Sequence, residues 1–125
     1  MAFEWWKLCR GKGVRIEEND IVVDFGTGRS HRVSVKDEGD AYRLTSFVVR
    51  NKLEDSIEDL AIRLWRRNRS TQLVGFRLDE RRRVIGQSWI PKAGLSSDEF
   101  VMHVRHVAAE CDRLEFLLTG EDEMQ

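Results

Sequence analysis

From Ser56 the apolar residues Ile57, Leu60, Ala61, Leu64 and Trp65 recur at i, i+3, i+4, i+7 and i+8, the spacing that lines side chains along one stripe of an α-helix. This pattern predicts a helix over residues 56–69 with Leu64 and Trp65 in the core. Ser56 and Asp59 form a variant of the capping box at its start, and Arg66, Arg67 and Arg69 suit the negative pole of the helix dipole at its end. A second helix opens at Ser96, whose hydroxyl caps the first turn while Glu99 reaches back to it. Its stripe is Phe100, Val104, Val107, Ala108, Cys111, Leu114 and Leu118, bracketed by Pro91 before and Gly120 after.

The remaining segments have the β-branched and aromatic content of strands. Ile21–Phe25, Arg32–Lys36 and Tyr42–Val49 are separated by the turns Gly26-Thr27-Gly28 and Glu38-Gly39-Asp40. Leu73–Asp79 alternates, with Val74, Phe76 and Leu78 on one side, and Val84–Ile90 follows after the polar turn Glu80–Arg83, predicting a hairpin. A short helix is expected over residues 2–11, with Phe3, Trp5, Trp6 and Leu8 as its apolar content and Gly11-Lys12-Gly13 as its stop. Val14–Glu17 either extends the first strand or pairs separately. The expected order is α-βββ-α-ββ-α: an α+β fold with an antiparallel sheet of about five strands and helices packed on one face.

Composition adds bounds. A chain of 125 residues with 41% hydrophobic and 34% charged residues fits one globular domain over residues 1–125, with its core in 14–118 and an acidic tail at 119–125. The formal charge of −1 is unevenly spread: residues 63–83 carry 8 basic and 2 acidic side chains, and residues 84–125 carry 3 and 8. Cys9 and Cys111, without a secretory leader in Met1-Ala2-Phe3-Glu4-Trp5-Trp6, read as reduced thiols, so a cytoplasmic setting is expected. No apolar run approaches the ~20 residues a membrane helix needs.

The order and spacing of these pieces resemble YbjN-like domains, related in fold to type III secretion chaperones. The resemblance is carried by Arg32-Val33-Ser34-Val35, Leu44-Thr45-Ser46, Leu64-Trp65-Arg66-Arg67-Asn68, Gly75-Phe76-Arg77-Leu78-Asp79, Trp89-Ile90-Pro91, Leu95-Ser96, Val107-Ala108 and Asp112-Arg113-Leu114-Glu115. It spans residues 20–118. It implies frequent homodimerisation and a role in binding or chaperoning another protein. Secretion chaperones are usually distinctly acidic, whereas this chain is nearly neutral with a basic middle, and its first helix is short.

Candidate chemistry is sparse. Glu99, His103, His106 and Glu110 share one side of the second helix, but a single helix face does not converge ligands from several directions, so an ordinary polar face is expected and no metal or cofactor. Gly11-Lys12-Gly13 and Gly26-Thr27-Gly28 lack the strand-loop-helix context of a phosphate loop and read as turns. No motif surrounds a serine or cysteine nucleophile, and Cys111 belongs to an apolar stripe. An enzyme is therefore not expected unless a pocket joins His31, His103 or His106 to acidic side chains from other elements. Ile85 and Trp89 share one side of their strand and, with Trp5, Trp6, Arg66, Arg67, Arg82 and Arg83, are the expected partner or dimer interface. The leading expectation is a homodimeric protein-binding module. The alternative is a nucleic-acid-associated regulator using the arginines of residues 63–83.

Overall fold

The structure, a computed structural model, describes residues 5–26, 28–49, 60–70 and 73–120. Four strands follow one another through short turns: β1 (Val14–Glu17), β2 (Asp20–Asp24), β3 (Ser30–Asp37) and β4 (Ala41–Val49). Glu18 and Asn19 sit at φ of 52° and 74°, the left-handed pair that a two-residue hairpin turn requires, so Val14–Glu17 is a separate strand. At the β3–β4 turn Gly39 supplies a φ of 93°, and the Asp37 carboxylate accepts its backbone N–H. Helix α1 (Leu60–Ser70) follows, then β5 (Gly75–Leu78), β6 (Val84–Pro91) and helix α2 (Ser97–Glu115), whose last turn widens into a π-type turn over Phe116–Gly120.

All strand pairs are antiparallel in one sheet of order β1-β2-β3-β4-β6-β5. The sheet therefore has six strands rather than about five, and the described chain has two α-helices rather than three. Of the first expected helix, residues 2–4 lie outside the described residues and the described part holds a 3₁₀ turn at Trp5–Lys7, where Trp5 stacks on Phe100 with ring centroids 6.4 Å apart and the Ser97 hydroxyl donates to the Leu8 carbonyl. The start expected at Ser56 for the first long helix, and its capping pair with Asp59, lie outside the described residues.

Helix α2 crosses β2, β3, β4 and β6 on one face of the sheet. Its N-terminus is fixed as the sequence predicts: Ser96 accepts from the Glu99 backbone N–H while the Glu99 carboxylate accepts from the Ser96 backbone N–H. Every residue of the predicted stripe is buried, against Ile21, Val33, Leu44, Val84 and Ile90, with Tyr42 edge-on to Phe100. At the centre the helix comes unusually close, since a Cβ on Gly86 would lie 2.4 Å from the Cys111 sulfur and 3.1 Å from the Phe76 ring. Only hydrogen fits there.

Helix α1 packs beside the edge strand β5. The Asn68 side chain both accepts from the Phe76 backbone N–H (2.7 Å) and donates to the Phe76 carbonyl (2.9 Å), using the amide as a neighbouring strand would use its backbone. Leu64 points inward and is buried, but Trp65 is 58% exposed, which corrects its expected place in the core. A helix resting on a sheet edge buries a narrower stripe than one lying across the face, and Trp65, about 100° around from Leu64, falls outside it.

Gly86→Ala should cost about 1–3 kcal/mol through the Cys111 contact, and adding Cys111→Ala should restore part of that loss. Urea denaturation of the single and double variants measures it; strictly additive losses would remove the contact as the cause. Asn68→Ala should destabilise the fold by about 1–3 kcal/mol and speed hydrogen exchange at the Phe76 amide, because both backbone groups lose their partner. Unchanged exchange there would show that the amide clamp does not protect the edge.

Candidate functional site

The sheet face turned away from α2 carries, across β5, β6 and β4, Arg77 beside Ile85 beside Phe47. Ile85 is buried, correcting its expected exposure: long neighbours flank it, and the Arg83 guanidinium lies 4.5 Å from the centre of the Phe47 ring. Arg77 Nε donates to Gln87, Arg83 Nε to Asp79, and Arg32 to Glu17, so much of the face is closed by polar side chains. Burial pushes the Asp79 carboxyl up, but the N–H groups of Arg83 and Arg81 and the Arg83 guanidinium outweigh it and hold the carboxyl below its ordinary range. Trp89 is 54% exposed on this face, and its indole N–H donates to Glu38.

The other expected interface residues stand elsewhere. Trp5 packs on the core at the N-terminal end of α2, with Trp6 edge-on beside it and half exposed. Neither shares a surface with Trp89, and Phe3 lies outside the described residues. The arginines are also divided. Arg82 and Arg83 sit in the β5–β6 hairpin, where Arg82 adopts a φ of 61°, whereas Arg66 and Arg67 belong to α1. The eight residues do not form one patch.

Between α1 and the end of α2 the structure forms an open groove of about 330 Å³, lined by Arg63, Arg66, Arg67, Leu114 and Leu117. Arg67 pairs with Glu110 at 3.3 Å, and Arg63 donates to the Leu117 carbonyl at 3.4 Å, so α2 and its last turn anchor two of the α1 guanidiniums at the groove. On the outward side of α1, Ile62 (48% exposed) and Trp65 lie one turn apart, with the Arg69 guanidinium 5.1 Å from the Trp65 ring centre. The sequence pointed to Arg63, Arg66 and Arg67 by charge. Leu117 and the outward Ile62 were not signalled, because helical periodicity does not show which stripe the rest of the chain covers.

The helix face of Glu99, His103, His106 and Glu110 does not come together as a ligand set. Glu99 is engaged in the α2 cap, and Glu110 is buried and paired with Arg67 and Arg113. Among the described residues, one group places three potential metal-ligating atoms within 4.8 Å of one another: His31, Asp112 and Glu115, from β3 and α2. Neither cysteine is activated as a nucleophile. Burial raises the Cys9 thiol and pushes Cys111 up to about 12.

No known family model matches the chain, and a search of curated proteins returns no match. Among the described residues, no helix is long and apolar enough to cross a membrane.

His103 yields a pH prediction. Burial, then the nearby His106 charge, lowers its pKa from the ordinary 6.5, with Glu99 partly opposing, and its Nδ1 is buried without a hydrogen-bond partner among the described residues. The unfolded chain takes up the proton more readily, so this group's contribution to stability is present above the ordinary value and is lost as pH falls through the lowered one. His103→Gln should flatten the acid side of a stability–pH curve measured by thermal unfolding. An unchanged curve would rule out this titration as a source of acid sensitivity.

Proposed function

We propose that the chain is a non-catalytic protein-binding module of chaperone-like or regulatory type, acting as a homodimer. In this reading the groove between α1 and α2 takes an acidic, partly apolar segment of a partner protein. The observation that carries it is the groove itself, where Arg63 and Arg66 line the same wall as Leu114 and Leu117 and Arg67 is held beside them by Glu110. Planar guanidiniums bind carboxylates through paired N–H donors, while a leucine floor accepts apolar side chains between them. This is the chemistry of helix-in-groove recognition.

The exposed Ile62 and Trp65 beside the groove support self-association, since an adjacent apolar pair on a helix is well suited to a dimer contact. The resemblance to YbjN-like domains points the same way, and two free thiols suit a reducing, cytoplasmic setting. The division of the arginines between the groove and the hairpin, with Arg67 and Arg83 each held by a carboxylate, argues against a continuous track for nucleic-acid phosphates.

A fluorescein-labelled peptide of alternating glutamate and leucine should bind saturably in an anisotropy titration. The double variant Arg63→Glu, Arg66→Glu should weaken it about tenfold or more, equivalent to about 1.4 kcal/mol. Binding of a single-stranded RNA oligonucleotide in preference to the peptide would reverse the assignment. Light scattering over a concentration series should show a dimer that Trp65→Glu converts to monomer; a monomer at all concentrations in the parent protein would remove the dimer.

A further inference from the structure

The imidazole of His31 lies near the start of β3, on the sheet face that α2 covers, and its side chain is only 9% exposed. The Cα-paired ladder between β3 and β4 runs from Asp37↔Tyr42 to Ser34↔Thr45, and beyond its end the Phe47 carbonyl is met by His31 Nε2 at 2.6 Å. A carbonyl only accepts, so Nε2 carries the hydrogen and the ring is locked with Nδ1 facing α2. There Nδ1 stands 3.8 Å from Asp112 Oδ1. Glu115, one turn further along α2, brings its carboxylate to the same spot, with all three ligating atoms within 4.8 Å of one another.

With the hydrogen on Nε2, Nδ1 faces the Asp112 and Glu115 carboxylates, and the three ligating atoms converge on one point. Arg29 stands to one side, donating to Asp112 Oδ1 at 2.8 Å. A metal ion fits between the three atoms. Ligands about 2.1 Å from a tetrahedral ion are about 3.4 Å apart, so the observed separation closes by a small side-chain rotation. A ring whose second nitrogen donates to a backbone carbonyl is also the usual outer support of a ligating histidine. Unlike the face of Glu99, His103, His106 and Glu110, the ligands come from two elements and converge.

We propose that His31 Nδ1, Asp112 and Glu115 form a three-ligand site for a divalent transition cation of the zinc class, with further coordination positions left for water or an external ligand. One imidazole and two carboxylates suit zinc and cobalt better than calcium or magnesium, which prefer all-oxygen shells. The ion would tie the start of β3 to the end of α2.

Metal-stripped full-length protein should be titrated with Co(II) and with Zn(II), following cobalt d–d absorption and heat of binding. One equivalent of either should bind, with a cobalt spectrum showing nitrogen and oxygen ligands and no thiolate charge-transfer band. His31→Gln and Glu115→Gln should each weaken binding about tenfold or more, comparable to or greater than the loss of an outer supporting contact. His103→Gln, His106→Gln and Cys9→Ser should leave it unchanged. Circular dichroism checks that His31→Gln is folded; if it is not, Glu115→Gln decides. Absence of saturable binding, a thiolate band, or binding that survives Glu115→Gln overturns the site.

Discussion

Helix α2 rests on the sheet at one point that admits no substitution of size, where the Cys111 sulfur occupies the space that a side chain on Gly86 would fill. Strand β6 is the one strand bonded to both β4 and β5, so the helix presses on the place where the run β1 to β4 joins the β5–β6 hairpin. The depth of that contact sets the rest. It lets Phe100 reach Tyr42 at one end of the helix and brings Leu114 and Leu118 into the core at the other. It also brings Glu110 to Arg67, which joins α1 to the same side of the sheet.

The two faces of the sheet follow different rules as a result. The covered face is aliphatic and aromatic, and its burial drives folding. The other face is assembled from arginines and carboxylates, including Arg32 with Glu17 and Asp20, Arg43 with Glu38, and Arg83 with Asp79. Such exposed pairs each contribute little on their own. Their alkyl stems matter as much as their charges, because arginine-rich neighbours help keep Val22 and Ile85 from water with no second layer of helices among the described residues.

Much of this fold was legible because local signals agreed. The Ser96/Glu99 cap and the stripe from Phe100 to Leu118 specify α2 by themselves, and the turns at Gly26 and Gly39 set two hairpins. The pair Glu18-Asn19 held a readable turn signal in its asparagine, which tolerates left-handed backbone. Trp65 and Ile85 show where reading stopped. Both were assigned by periodicity, which says which residues share a side but not whether another element covers it. Trp89 is exposed on the side it shares with buried Ile85, and the residues expected to join it at an interface are elsewhere. The meeting of His31 with Asp112 and Glu115 joins residues more than eighty positions apart, and no local pattern encodes it.

The amide of Asn68 on β5 also fixes how the sheet can grow. With Phe76 already satisfied, that margin offers little to an incoming strand, whereas β1 at the opposite margin is, among the described residues, bonded on one side only. A propagating fibre of sheets needs two free margins that fit each other, head to tail. One side chain thus removes one of the two margins that such growth requires.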